Sequence, residues 1–274
     1  MAKNPSSDFV LRPFEGLPGE TDWVAMREIV PSATATARTT AEYGSRDVTI
    51  VTLLPGAWTA LHRADGTVLL AVQGVLSTGD VSRDLAAALL EALDVEPGTA
   101  VESGELPGEG PRLQDVLDLS VPFEVTVHDT FDFWLDPSAE ITPELKENLE
   151  DAADGAIPTV KVPSVESAYW CSMTREFLRW ARPEPEDDFI DALSRLHAKR
   201  ESGLAGGKFV GAFRASGLVV PVWELPKGTE AADLEGPLAE LGENLAKALS
   251  INQPLDANER RARAGIVSRQ VTLR

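Results

Sequence analysis

The chain has 274 residues, 43% of them hydrophobic, enough for two domains of common size with a core each, which excludes a disordered chain. Its 25 basic and 44 acidic residues leave a net charge of −19, which repels phosphate backbones and disfavours DNA, RNA or anionic membrane as partners held by bulk charge. The single cysteine, Cys171, excludes an intramolecular disulfide and a thiolate metal cage, and fits a reducing cytosol.

The opening stretch MAKNPSSDFVLRPFEG has no apolar signal core, and no later run approaches ~18 uninterrupted apolar residues, so the expected location is the cytoplasm. TDWVAMREIV follows with Thr21 as candidate N-cap and Trp23, Met26, Ile29 and Val30 at helical spacing, closed by Pro31. VTIVTLLP is β-branched and apolar, which predicts a strand. WTALHRADGTVLLAVQ reads as two strands about a turn at Ala64-Asp65-Gly66, a β-hairpin.

SRDLAAALLEAL places Leu85, Leu89 and Leu93 on one stripe, predicting an amphipathic helix over a sheet face. Residues 94 to 111, rich in Pro, Gly and Glu, predict a loop; RLQDVLD a short helix; and FEVTVHDTFDFWL a strand. DPSAEITPELKENLEDAADG, with seven acidic residues against Lys146, is expected to be a solvated connecting helix, with Pro143 at its first position and Gly155 past its end.

The second half returns to the same order. In FVGAFRASGLVVPVWE, Arg214-Ala215-x-Gly217-x-Val219 repeats Arg63-Ala64-x-Gly66-x-Val68 of the first hairpin. A helix over 230–249, a short helix over Asp256 to Ala264 and a last strand in IVSRQVTLR follow. Between the acidic helix and this hairpin, the stretch around Phe189, Ile190, Leu193 and Leu196 predicts a further helix, with acids at its start and His197, Lys199 and Arg200 at its end.

The expected fold class is α+β: two tandem related domains, each a small antiparallel sheet covered by helices. Their bounds are 1–135 and 156–274, with the acidic helix over 136–155 between them and a cleft where the two pack. A tandem duplication accounts for the repeated order; the competing account is that Arg-Ala-x-Gly is ordinary hairpin turn chemistry.

The segments RPFEGLPGETDWVAMREIVPSATA, LHRADGTVLLAVQ, LSRLHAKRESGLAGGKFVGAFRASGLVVPVWELP and NERRARAGIVSRQVTLR together resemble a family of uncharacterised actinobacterial proteins, nearly end to end. Some members carry a loose label of topoisomerase II or of a preprotein translocase component. The resemblance implies no activity, cofactor or site residue. The labels themselves fit poorly: Tyr43 and Tyr169 stand in no basic cluster that would suit a DNA-cleaving tyrosine, and a translocase ATPase needs a P-loop.

Chemistry-bearing groups are few. Gly203 to Lys208 is similar to a phosphate loop, but Ser202 stands where its first glycine belongs, Phe209 where its Ser or Thr belongs, and a strand follows instead of a helix. His128, Asp129 and Asp132, with Asp136 nearby, could ligate a hard cation or share acid–base work, and are weak catalytic candidates. On one strand, however, Asp129 would face away from the others. No metal or cofactor is expected. Cys171, among aromatic and apolar neighbours, is expected to be a buried structural thiol.

Arg260, Arg261, Arg263, Arg269 and Arg274 make the end of an acidic chain basic. The first three are candidate partner-binding residues, the alternative being that they pair with the acidic connecting helix. Trp180, at the edge of a polar run, is the candidate exposed anchor. The leading expectation is a non-catalytic cytosolic binding or adaptor protein with a protein partner. The alternatives are a metal-assisted hydrolase or nucleotide-handling enzyme, using His128, Asp129, Asp132 and the acids at 186 to 188, and an acidic mimic of nucleic acid.

Overall fold

A computed structural model describes residues 9–74, 78–102, 109–137 and 142–268. The fold is α+β, and the chain divides into two compact units, Met1–Ala156 and Ile157–Arg274. The first unit runs α1 (Glu20–Glu28), β1 (Ala33–Arg38), β2 (Asp47–Val51), β3 (Ala60–His62), β4 (Val68–Ala71), α2 (Val81–Asp94), β5 (Thr99–Val101), α3 (Leu113–Val116), β6 (Val125–Val127) and α4 (Pro143–Asp154). Its six strands are ordered β5-β3-β4-β2-β1-β6, with β2 and β4 parallel and the other neighbours antiparallel.

This sheet is apolar on both faces because its strands alternate two apolar sets. Val51, Leu69 and Ala71 pack with Leu54, Phe131, Trp134 and Leu149, while Ile50 and Leu70 point to the opposite face, where α2 buries Leu85, Leu89 and Ala92. α1 is held by ring stacking, with the Trp23 indole between Phe14 (5.6 Å) and Phe123 (4.3 Å). Its N-cap is Gly19, whose φ of 67° suits glycine, and Thr21 is buried inside the first turn instead of capping it.

The second unit runs β7 (Thr159–Lys161), β8 (Ala168–Ser172), β9 (Glu176–Trp180), α5 (Glu186–Lys199), β10 (Lys208–Ala215), β11 (Leu218–Glu224), α6 (Glu235–Leu249) and α7 (Ala257–Val267). Its sheet is antiparallel throughout, in the order β10-β11-β9-β8-β7. Trp180, Trp223, Phe189, Leu193, Leu238 and Leu245 form the core between sheet and helices.

Both units carry a hairpin followed by a long helix and then a shorter one, but the surroundings of the hairpins differ. On the side away from its hairpin partner, β4 has a parallel neighbour, β2, whereas β11 has an antiparallel one, β9. The connections explain the difference in sense: a short segment joins β2 to β3, while the whole of α5 lies between β9 and β10. The turns differ as well. Arg63 and Thr67 close a three-residue loop with Gly66 at φ 85°, whereas Ser216 (φ 45°) and Gly217 (φ 80°) make a two-residue turn between the paired Ala215 and Leu218.

Several expectations need correction. FEVTVHDTFDFWL holds only the three-residue strand β6; a turn and a 3-10 turn over Asp132–Trp134 follow, because Asp132 accepts a hydrogen bond from the Thr130 hydroxyl (2.9 Å) and Phe131 and Trp134 turn into the core. The loop at 94–111 contains β5. Along α4 the described side chains are exposed or half-buried except Leu149, which is buried against Phe131 and Trp134 of its own unit. Ile266 and Val267 end α7 instead of starting a strand, and the rest of the expected last strand, with Arg269 and Arg274, lies outside the described residues. No helix among the described residues is long and apolar enough to cross a membrane.

Candidate functional site

Of the residues expected to gather in the first unit, His128 and Asp132 each make a separate structural bond. His128 Nε2 lies 2.9 Å from the Thr34 hydroxyl, and its ring tilts against Phe133 at 5.4 Å. Asp132 is tied to Thr130, and Asp129 is exposed to solvent. His62 is buried with Nδ1 2.8 Å from the Val95 carbonyl. A carbonyl only accepts, so Nδ1 carries the proton and Nε2 is left to accept from Arg46, 3.4 Å away. His197 Nδ1 bonds the Ser202 hydroxyl at 2.8 Å. Among the described residues no group of three or more His, Cys, Asp or Glu could hold a metal ion.

The two arginines of the repeated motif serve different ends. Arg63 binds Asp65 through Nε (3.0 Å) and a terminal nitrogen (2.5 Å), and donates to the Phe133 (3.1 Å) and Leu135 (2.5 Å) carbonyls, fixing the hairpin to the 3-10 turn. The Arg63 guanidinium, with the Thr67 amide, holds the Asp65 carboxyl well below its ordinary range. Arg214 instead reaches Glu186 at the start of α5 in a two-point bond of 2.5 and 2.7 Å.

Trp180 is not an exposed anchor: it is 2% exposed, donates from Nε1 to the Glu166 carbonyl at 2.8 Å, and packs in the core beside Trp223. Its sequence neighbours are polar because the strand ends there; the indole itself points inward with Leu178. Arg182 covers it, the guanidinium 4.2 Å from the ring centre. Cys171 is fully buried, and burial pushes its thiol above the ordinary value.

The C-terminal arginines also diverge. Arg263 donates to Asp191 and Asp187, both at 2.6 Å, so α7 is pinned to α5. These carboxylates, the Asp191 bond first, raise the Arg263 guanidinium above its ordinary value. The acids it meets belong to α5, not to the acidic helix expected to neutralise it. Arg261 bonds Asn258 on its own helix (2.8 Å), Arg260 bonds the Leu255 carbonyl, and both are exposed.

Beside that ion pair, the start of α5 and the turn between α6 and α7 enclose a hollow of about 450 Å³. Ala192, Ala248, Leu249, Ile251 and Pro254 give it apolar walls, and Glu184, Asp188 and Asp191 contribute carboxylates. Arg195, 7% exposed at its side chain, shapes one wall. It donates to the carbonyls of Gln253 (2.6 Å) and Ile251 (3.4 Å) and to Glu259 (3.2 Å). Glu259 in turn completes a capping box with Asp256, whose carboxylate accepts from the Asn258 and Glu259 amides and is held below its ordinary value by them.

Sequence reasoning marked the acids of this region as helix-dipole partners and, at 186 to 188, as part of the alternative metal-assisted site, and missed Arg195 and Ile251. An arginine among Ser194, Leu196 and Leu193 on a buried helix stretch was the available signal, since such a side chain needs internal acceptors.

A family model described as a family of unknown function (DUF5926) matches residues 13–274. No curated protein and no solved structure matches the chain.

Proposed function

We propose a non-catalytic binding or adaptor role, in the cytosol and toward a protein partner, for this chain, which belongs to the DUF5926 family of unknown function. The observation that carries the reading is the hollow at the start of α5, whose lining of carboxylates, amides and a few apolar side chains makes a contact surface for another molecule. Its one buried cation, Arg195, is saturated by carbonyls and Glu259, so it supports the wall and is not poised for acid–base chemistry. The candidate acid–base residues elsewhere also favour this reading, because His128 is engaged by Thr34 and Asp132 by Thr130. Direct nucleic-acid binding is disfavoured by the charge of −19.

Affinity purification of the tagged full chain from its native extract, at low and at high salt, tests the role. A stoichiometric partner is expected. One that survives high salt would engage chiefly apolar surface, and one released by salt would engage charge. Absence of a stoichiometric partner at either salt would sink the proposal.

A further inference from the structure

We infer that the hollow beside α5 receives an arginine- or lysine-bearing segment of a partner protein, the charged residue being flanked by apolar ones. This rests on the binding reading and names what is bound. The 15-residue helix α6 ends at Leu249 on the wall of the hollow, where the negative end of its dipole favours a cation. Three carboxylates, Glu184, Asp188 and Asp191, line the hollow; Glu184 is paired with Arg182, Asp191 with Arg263, and the lining Arg195 with Glu259. Each of these pairs is neutral, so the charge left over is that of Asp188, whose side chain no hydrogen bond or ion pair engages among the described residues.

The chain already shows how a guanidinium is accepted here. Arg195 approaches from within and is met by the Ile251 and Gln253 carbonyls. A guanidinium or ammonium arriving from solvent meets the same turn, with Asp188 and Asp191 across from it. The apolar stem of such a side chain has a floor to lie on, because Ile251 is 38% exposed beside Leu249 and Pro254. An acidic segment would be repelled by the rim, and a bare apolar segment would leave Asp188 desolvated without a partner.

The test uses the ¹⁵N-labelled full chain titrated with acetyl-Leu-Arg-Leu-amide and with its citrulline counterpart, which keeps the shape and loses the charge. The expected result is a set of amide shifts confined to Asp188, Ala192 and 249–252, with a dissociation constant of about 1 mM. Affinity should fall about tenfold for the citrulline peptide, and by a similar factor for Asp188→Asn. Equal binding of the two peptides, indifference to Asp188→Asn, or shifts elsewhere or nowhere would overturn the inference. A photo-crosslinking residue placed at Ile251, and for comparison at Arg261, separates this failure from that of the binding role itself. A cross-linked partner segment at Ile251 containing Arg or Lys among apolar residues is expected. A partner captured only through Arg261, or dimers of this chain captured through Ile251, would overturn the occupant and leave the binding role standing. Capture at neither position, together with no peptide shifts, would remove both.

Discussion

At the scale of single residues, environment and not residue type decides what a side chain does. Trp180 and Trp58 are both indoles, yet Trp180 is 2% exposed and Trp58 only partly buried. Removing a buried tryptophan deletes its transfer energy and leaves a cavity, so Trp180→Ala should destabilise the chain by about 3–5 kcal/mol. Urea unfolding measures this, and a loss below about 1 kcal/mol would mean that the indole does not fill the core. The Asp65 carboxyl supplies a pH prediction with a definite sign. Its folded-state value is depressed by Arg63, so its contribution is present above the unfolded carboxylate range near ~4 and is lost as pH falls through the folded value. Asp65→Asn should therefore lower the thermal midpoint at neutral pH and flatten its acid decline. Midpoints recorded from about pH 2 to pH 6 show this, and parallel curves for the two proteins would refute it.

At the scale of elements, close backbone approaches set what the second hairpin tolerates. Gly207, just before β10, has no room for a Cβ: one would collide with the Glu224 carbonyl, with the Leu204 carbonyl 3.0 Å away. Gly207→Ala should cost about 1–3 kcal/mol through displaced backbone, seen as a shifted urea midpoint at unchanged slope. Gly66→Ala tests another cause, because nothing lies within 4 Å of its missing Cβ and only its φ of 85° resists the change. The sequence showed Gly66 as a turn residue and Gly207 only as part of the phosphate-loop-like stretch. It did not say that one is required by contact and the other by dihedral angle, which depends on the strand laid beside it.

At the scale of the whole molecule, a net charge of −19 opposes compaction by self-repulsion, which salt screens within a Debye length of ~10 Å at 0.1 M. The thermal midpoint should rise when sodium chloride is raised from about 20 mM to about 200 mM. A falling midpoint would mean that ion pairs such as Arg263–Asp187 and Arg214–Glu186 outweigh the repulsion.

The α+β class, the long helices α2, α5 and α6 and both hairpins were legible from periodicity and turn glycines, because those signals arise from neighbours in the chain. The short strands β5, β7, β8 and β9 were not, since three to five residues carry too little pattern and their pairing depends on distant segments. The acids at the start of α5 and the arginines of α7 were equally plain in sequence, yet nothing local said that Arg263 would join them across 72 and 76 positions. Composition and local spacing thus determined the class, the elements and the charge of this protein. Strand sense, the burial of Trp180 and the carboxylate-bordered hollow were decided only when tertiary packing brought remote residues within van der Waals and hydrogen-bond distance.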